Sequence, residues 1–277
     1  MKLKIVILLS LSSLLIYCTS TGSNANRDCH EVAQHLESPD KFSVDVSRYG
    51  TASDKNLLLM PPTGGENFID RSYASKFCKA GYQVFILKNW TNQTEEKSID
   101  LGLHQRFYER SEKAITLVLG EVKQGFIGLL GTSVGALHSA VAASLQDRIS
   151  AVFIIAGGAP LAEVIVNSDQ EAMTTLAENR RKAFGFKSKA EYLAALAPMI
   201  KLEPMKLGEG FKTKKLGMIV ALEDTTVPTQ MQKNLMNYWQ PQLIIEKHNG
   251  HFWAIINSWL HNADEILDFF ETAFKHS

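Results

Sequence analysis

The sequence has no net charge: 29 lysines and arginines balance 29 aspartates and glutamates, and no basic stripe stands out. The electrostatic footprint of a nucleic-acid binder is therefore missing, and no nucleic-acid partner is expected. Cysteine is scarce, with three in 277 residues. Cys18, Cys29 and Cys78 show no metal-ligand spacing with histidine, so no metal is expected. Internal repeats and long low-complexity tracts are lacking, which sets aside repeat architectures. The apolar stretch from Ile5 to Tyr17 is too short to cross a bilayer comfortably.

That stretch instead suits the core of a secretory signal, with Met1-Lys2-Leu3-Lys4 supplying positive charge before it. Cys18 stands at its end, followed by the polar run Thr19 to Asn26. The segment resembles a bacterial lipoprotein signal, with Leu15-Ile16-Tyr17 where that pattern uses small residues. The resemblance implies export to the cell envelope and membrane association through a lipidated Cys18. In an exported protein Cys29 and Cys78 are either a disulfide or two separate buried thiols. Asn89-Trp90-Thr91 and Asn92-Gln93-Thr94 are formal glycosylation sequons, relevant only in a eukaryotic secretory pathway.

The remaining chain is 45% hydrophobic over its whole length, enough for a substantial core. Phe42 to Val46 alternates apolar and polar residues, as a half-exposed strand does. Leu57 to Met60, Val84 to Leu87, Phe126 to Leu130, Ala151 to Ile155, Leu216 to Leu222 and Leu243 to Ile245 are continuous apolar runs, the mark of strands covered on both faces. Helical spacing separates them over Asp70–Lys79, Leu103–Gly120, Val134–Gln146, Thr229–Trp239 and Asn262–Lys275. The alternation predicts a doubly wound, mostly parallel α/β sheet. Between Ala159 and Lys212 only helices are expected (161–167, 170–184 and 189–197). That stretch is too long for a connecting loop and reads as a helical insertion beside the strand ends.

One of the apolar runs ends in Gly131-Thr132-Ser133-Val134-Gly135. A strand leading through G-x-S-x-G into a helix presents a serine nucleophile on a strained turn, where the glycines let strand and helix approach closely. Two further motifs follow in order. The run from Leu216 ends in Asp224-Thr225-Thr226-Val227-Pro228, and the run from Leu243 leads to Gly250-His251-Phe252. Over roughly residues 55 to 275 this order resembles the α/β-hydrolase superfamily. The resemblance implies Ser133 as nucleophile, Asp224 as acid and His251 as base, with Glu223 and His248 as the nearby competitors.

It also implies an oxyanion hole after Leu57–Met60, where Pro61 and Pro62 have no N–H to give. Thr63 is the first choice of donor and Gly64 the next, with the Val134 amide as the second donor. No cofactor is required by such chemistry. The implied layout is a signal at 1–18, a polar linker and first helix at 19–40, and an α/β-hydrolase domain at 41–277 with the insertion at about 159–212. The implied activity is hydrolysis of a small-molecule carboxylic ester through an acyl-enzyme. A serine peptidase or amidase on the same fold, and a non-catalytic envelope binding protein, are the alternatives. Phe184, Phe186, Tyr192, Leu193 and Met199 are pocket-lining candidates, as are Phe252 and Trp253. His30, His35, His104, His138, His261 and His276 are read as ordinary surface or core histidines. Oligomeric state is left open.

Overall fold

The computed structural model describes residues 28–90 and 98–276. The signal segment with Cys18, the beginning of the polar linker, and the sequon residues Thr91, Asn92 and Thr94 lie outside them. The first half of the chain forms β1 (Glu31–Glu37), β2 (Ser43–Tyr49), β3 (Lys55–Met60), α1 (Phe68–Lys79), β4 (Gln83–Leu87), α2 (Leu103–Glu121), β5 (Phe126–Thr132) and α3 (Val134–Leu145). The second half forms β6 (Ala151–Ile155), α4 (Leu161–Asn167), α5 (Glu171–Phe184), α6 (Lys189–Leu196), β7 (Lys215–Ala221), α7 (Thr229–Trp239), β8 (Leu243–Lys247) and α8 (His251–Lys275).

The strands make one sheet in the order β1-β2-β4-β3-β5-β6-β7-β8. The pairs β1–β2 and β2–β4 are antiparallel. All pairs from β4 across to β8 are parallel. Alternate residues of β3 show why its run is apolar throughout. Leu57 and Leu59 pack with Tyr73, Phe77, Ile266 and Phe270 from α1 and α8. Leu58 and Met60 pack with Ile115, Ala140, Leu235 and Trp239 from α2, α3 and α7. A strand sandwiched between two helical layers has no solvent face, so the period-2 alternation disappears.

Helix α1 begins with a reciprocal cap. The Asn67 side chain accepts from the amides of Ile69 and Asp70, while Asp70 accepts from the Asn67 amide. Two of the orphan donors of the first turn are thereby satisfied. Between β6 and β7 the chain holds helices α4 to α6 and two short 3-10 turns, with no strand. Arg180, fully buried, ties this helical segment to the chain entering α2. Its guanidinium donates to Ile99 O at 3.1 Å, Asp100 O at 2.5 Å and Tyr192 Oη at 2.7 Å.

Four elements differ from the sequence reading. The helix expected within 19–40 is not formed by the described residues. Glu31–Glu37 is instead an edge strand, paired over its whole length with β2. Its composition (Glu, Ala, Gln, Leu) favours a helix locally, and the ladder overrides that preference. The strand at Leu243–Lys247 is the opposite edge and is not covered on both faces, with Ile244 43% exposed. Helix α8 starts at His251, well before Asn262. Phe252, Trp253 and Leu260 are exposed on it, and this blurs the apolar stripe that marks the rest of the helix. Cys29 and Cys78, left open by sequence, are joined in a disulfide that ties the segment before β1 to α1.

Candidate active site

Ser133 sits between β5 and α3 with φ 55° and ψ −119°. A non-glycine residue in that region is strained, and such strain is held in place only by its surroundings. Here the surroundings are tight. A Cβ on Gly135 would lie 2.0 Å from Met60 O, and one on Gly131 would lie 2.6 Å from Gly135 O. The two glycines are thus demanded by close backbone approach, which is what the pentapeptide suggested. The Ser133 amide donates to Ile155 O at 2.9 Å, extending the β5–β6 ladder to the turn itself.

The structure brings Ser133, His251 and Asp224 together across 118 residues of chain. Ser133 Oγ is 2.7 Å from His251 Nε2, and His251 Nδ1 is 2.7 Å from Asp224 Oδ2. A carboxylate only accepts, so Nδ1 carries the proton and Nε2 presents a lone pair to the serine hydroxyl. Asp224 lies just past β7 with its side chain fully buried. Its Oδ1 accepts from the amides of Thr226 (2.9 Å) and Val227 (3.0 Å). Its Oδ2 accepts from Gln232 Nε2 at 2.7 Å as well as from His251. Four donors around one carboxylate favour its charged form and fix its plane. The competitors Glu223 and His248 are both exposed.

Gln232 was not found from sequence. It lies on α7, fully buried, and also donates to Val227 O at 2.7 Å while its Oε1 accepts from the Ala221 amide at 2.9 Å. It clamps the end of β7 to the acid turn. A glutamine inside a helix carries no local signature, so only the assembled fold shows this role. Asp169, in the helical segment, accepts from the Thr226 hydroxyl at 2.8 Å and joins that segment to the same turn.

After β3 the chain turns through Thr63, Gly64 and Gly65. The two glycines have φ +93° and +84°, with open space where a Cβ would go. They are needed for conformation, not for room. Gly65 N donates to Pro62 O at 3.1 Å, while the amides of Thr63 and Gly64 donate to nothing among the described residues. Val134 is the first residue of α3, so its N–H has no partner within the helix. Thr63, Gly64, Ser133 and Val134 all border one cavity of about 450 Å³. The turn is anchored from behind by Glu66, which accepts from Ser47 Oγ at 2.9 Å and pairs with Lys88 at 2.9 Å.

The lining of that cavity departs from expectation. Phe184, Phe186, Tyr192, Leu193 and Met199 do not border it, nor do Phe252 and Trp253. Phe184 and Met199 are exposed, and Tyr192 is buried against Arg180. The helical segment contributes Val164 and Ile165 from α4 and Met173 and Leu176 from α5 instead. His104 and His138, read as ordinary core residues, both line the cavity. Burial pushes each imidazole down to about 3. Nearby positive charge adds to this, from Arg180 at His104 and from His104 at His138. Both rings are neutral at ordinary pH.

No protein-family model matches the chain, and no curated protein is similar to it in sequence. Solved structures do resemble it. An esterase from Pyrococcus furiosus superposes over 88% of this chain and 92% of its own, with TM-score 0.63 and 14% identity. The Pyrococcus horikoshii acylaminoacyl peptidase superposes over 87% of this chain and 41% of its own, with TM-score 0.62 and 17% identity. Puromycin hydrolase superposes over 89% of this chain and 39% of its own, with TM-score 0.66 and 13% identity. The protein has the α/β-hydrolase fold: a mostly parallel eight-stranded sheet between helical layers, shared with these hydrolases.

Proposed function

We propose that the protein is an exported serine hydrolase that cleaves carboxylic esters. The observation that carries this reading is the continuous hydrogen-bonded chain from Ser133 Oγ through His251 to Asp224, set on a strained turn that opens into a cavity. In the proposed reaction Ser133 Oγ attacks the carbonyl carbon while His251 Nε2 takes its proton. The amides of Thr63 and Val134 hold the developing oxyanion. Collapse of the tetrahedral intermediate expels the alcohol, which takes the proton from His251 and leaves an acyl-serine. Water then adds in the same way, and the carboxylic acid leaves as Ser133 recovers its proton. Asp224 keeps the imidazole in the required tautomer and stabilises the imidazolium.

The ester reading is preferred because the esterase resembles this chain over 92% of its length, whereas the peptidase does so over 41%. Export is supported by the signal-like segment ending at Cys18 and by the Cys29–Cys78 disulfide, which persists in oxidising compartments. Membrane anchoring through a lipidated Cys18 belongs to the same proposal. Mass spectrometry of the mature N-terminus tests it, and an unmodified N-terminus beyond residue 18 refutes it.

For the chemistry, a fluorophosphonate probe should label wild-type protein at Ser133 and leave Ser133→Ala unlabelled. Asp224→Asn should lower kcat by about 10⁴-fold by favouring the wrong tautomer. Folded wild-type protein inert to the probe and to a panel of short acyl esters would refute the proposal. Faster turnover of aminoacyl amides than of matched esters would convert it to the amidase reading.

A further inference from the structure

The cavity beside Ser133 has mostly apolar walls, including Leu103, Phe107, Leu137 and Ile165, and none of its lining residues is Asp, Glu, Lys or Arg. Two imidazoles interrupt this lining. His138, on α3, is held between the rings of Trp90 and Tyr108, at centroid distances of 4.3 and 4.4 Å. Its Nδ1 is 2.7 Å from Ser111 Oγ, and that hydroxyl donates its one proton to Tyr108 O at 2.8 Å. Ser111 Oγ therefore accepts from His138 Nδ1–H, and His138 Nε2 is left as a hydrogen-bond acceptor. His104, on α2, is 8% exposed, and its Nε2 is buried without a hydrogen-bond partner. Buried polar atoms nearly always find partners, so one left over in a cavity wall calls for an explanation. An ordinary core histidine would have its ring nitrogens paired within the protein.

We propose that the cavity is the acyl pocket, and that His104 and His138 receive an uncharged hydroxyl group carried on the acyl chain. The substrate class is then a hydroxyacyl ester, not a plain alkyl ester. A hydroxyl both donates and accepts, which answers a neutral imidazole that offers one acceptor nitrogen and one N–H. A carboxylate or ammonium group would find no countercharge in the lining. Arg180 does not border the cavity, and its guanidinium is already bonded to Ile99 O, Asp100 O and Tyr192 Oη. A site that hydrogen-bonds a substrate hydroxyl discriminates strongly against the analogue lacking it, because its own polar groups would stay unpaired.

The inference rests on the serine-hydrolase reading, and the test separates the two. The probes are p-nitrophenyl hexanoate and its 3-hydroxy and 6-hydroxy counterparts. Wild-type protein should prefer one hydroxylated ester by about tenfold or more in kcat/KM. His104→Phe and His138→Phe should reduce that ratio to about twofold or less, with fluorophosphonate labelling reporting whether the triad is intact in each variant. Wild-type preference for plain hexanoate, or a ratio unmoved by both substitutions, overturns the hydroxyacyl pocket while leaving the hydrolase intact. Failure of wild-type protein to take up the probe or to cleave any of the esters refutes the hydrolase reading itself. If either variant fails to fold, the wild-type ratio alone still decides.

Discussion

Replacing His104 with phenylalanine should change how stability depends on pH, and the size of the change follows from its burial. The folded-state value is about 3, against 6.5 for an unperturbed histidine. Between these values the unfolded chain binds a proton that the folded protein does not. Stability from this group is therefore fully present above pH 6.5 and is lost as pH falls toward 3. Integrating from pH 7.5 to pH 5.0 gives a loss of about 2 kcal/mol that the parent suffers and the variant escapes. Asp70 and Glu112 act in the opposite sense. Burial raises each to about 7, so both are protonated in the folded state and favour it increasingly as pH falls from 7 toward 4. They are common to parent and variant, and drop out of the difference. Urea unfolding at the two pH values reads it directly, as about 0.7 M in midpoint for an m-value of about 3 kcal/mol per M. The variant should also be at least as stable as the parent at pH 7.5, since an orphaned ring nitrogen has been removed. Identical pH dependence in the two proteins would refute the reasoning, because it would mean that the folded imidazole titrates as in water.

Other perturbations follow from the same structure. Gly135→Ala forces a Cβ to within 2.0 Å of Met60 O and should cost about 3 kcal/mol or more, seen as loss of soluble protein and of fluorophosphonate labelling. Gly64→Ala meets open space and only a strained φ, so its cost should be about 1–2 kcal/mol by thermal unfolding. Gln232→Leu strands the Ala221 amide and Val227 O and removes a donor from Asp224. A loss of about 3–6 kcal/mol is expected by chemical denaturation, with Gln232→Glu retaining more stability because it keeps an acceptor for Ala221. Reducing Cys29–Cys78, 49 residues apart, should lower stability by up to about 4 kcal/mol. Free-thiol counting on unreduced protein should find neither cysteine.

The triad was legible because each member stands where backbone geometry constrains the sequence. Gly131 and Gly135 flank Ser133 because no other residue fits against Met60 O and Gly135 O. Asp224 is marked by a turn whose amides at Thr226 and Val227 bind its own carboxylate, which Glu223 cannot imitate. His251 opens α8 directly after Gly250. The rest of the site depends on tertiary contact and left no such trace. Gln232 reaches Asp224 over two helical turns. His104 and His138 occupy helix positions whose spacing matches that of any core residue, and only the assembly of α2 against α3 puts them on a cavity. Glu31–Glu37 is a strand because β2 is beside it, not because its residues prefer to be extended.

The likeness to an esterase, a peptidase and puromycin hydrolase shows one sheet hosting different reactions, so the fold alone selects no substrate. Selection lies in what the β6–β7 segment adds. Helices α4 and α5 and the turn anchored by Asp169 close one side of the cavity, while α2 and α3 close the other with two neutral imidazoles. These two walls obey different physics. The apolar side accepts any chain of suitable length, because each methylene contributes a similar amount and discriminates weakly. The imidazole side is costly when empty, because its bare nitrogens are out of water without partners. A protein whose substrate were a plain alkyl ester would be more stable, and would bind that substrate better, with Phe or Leu at both positions. That His104 and His138 stand there instead, one with an orphaned nitrogen and the other with its ring oriented by Trp90, Tyr108 and Ser111, is the physical argument that the polar wall serves binding.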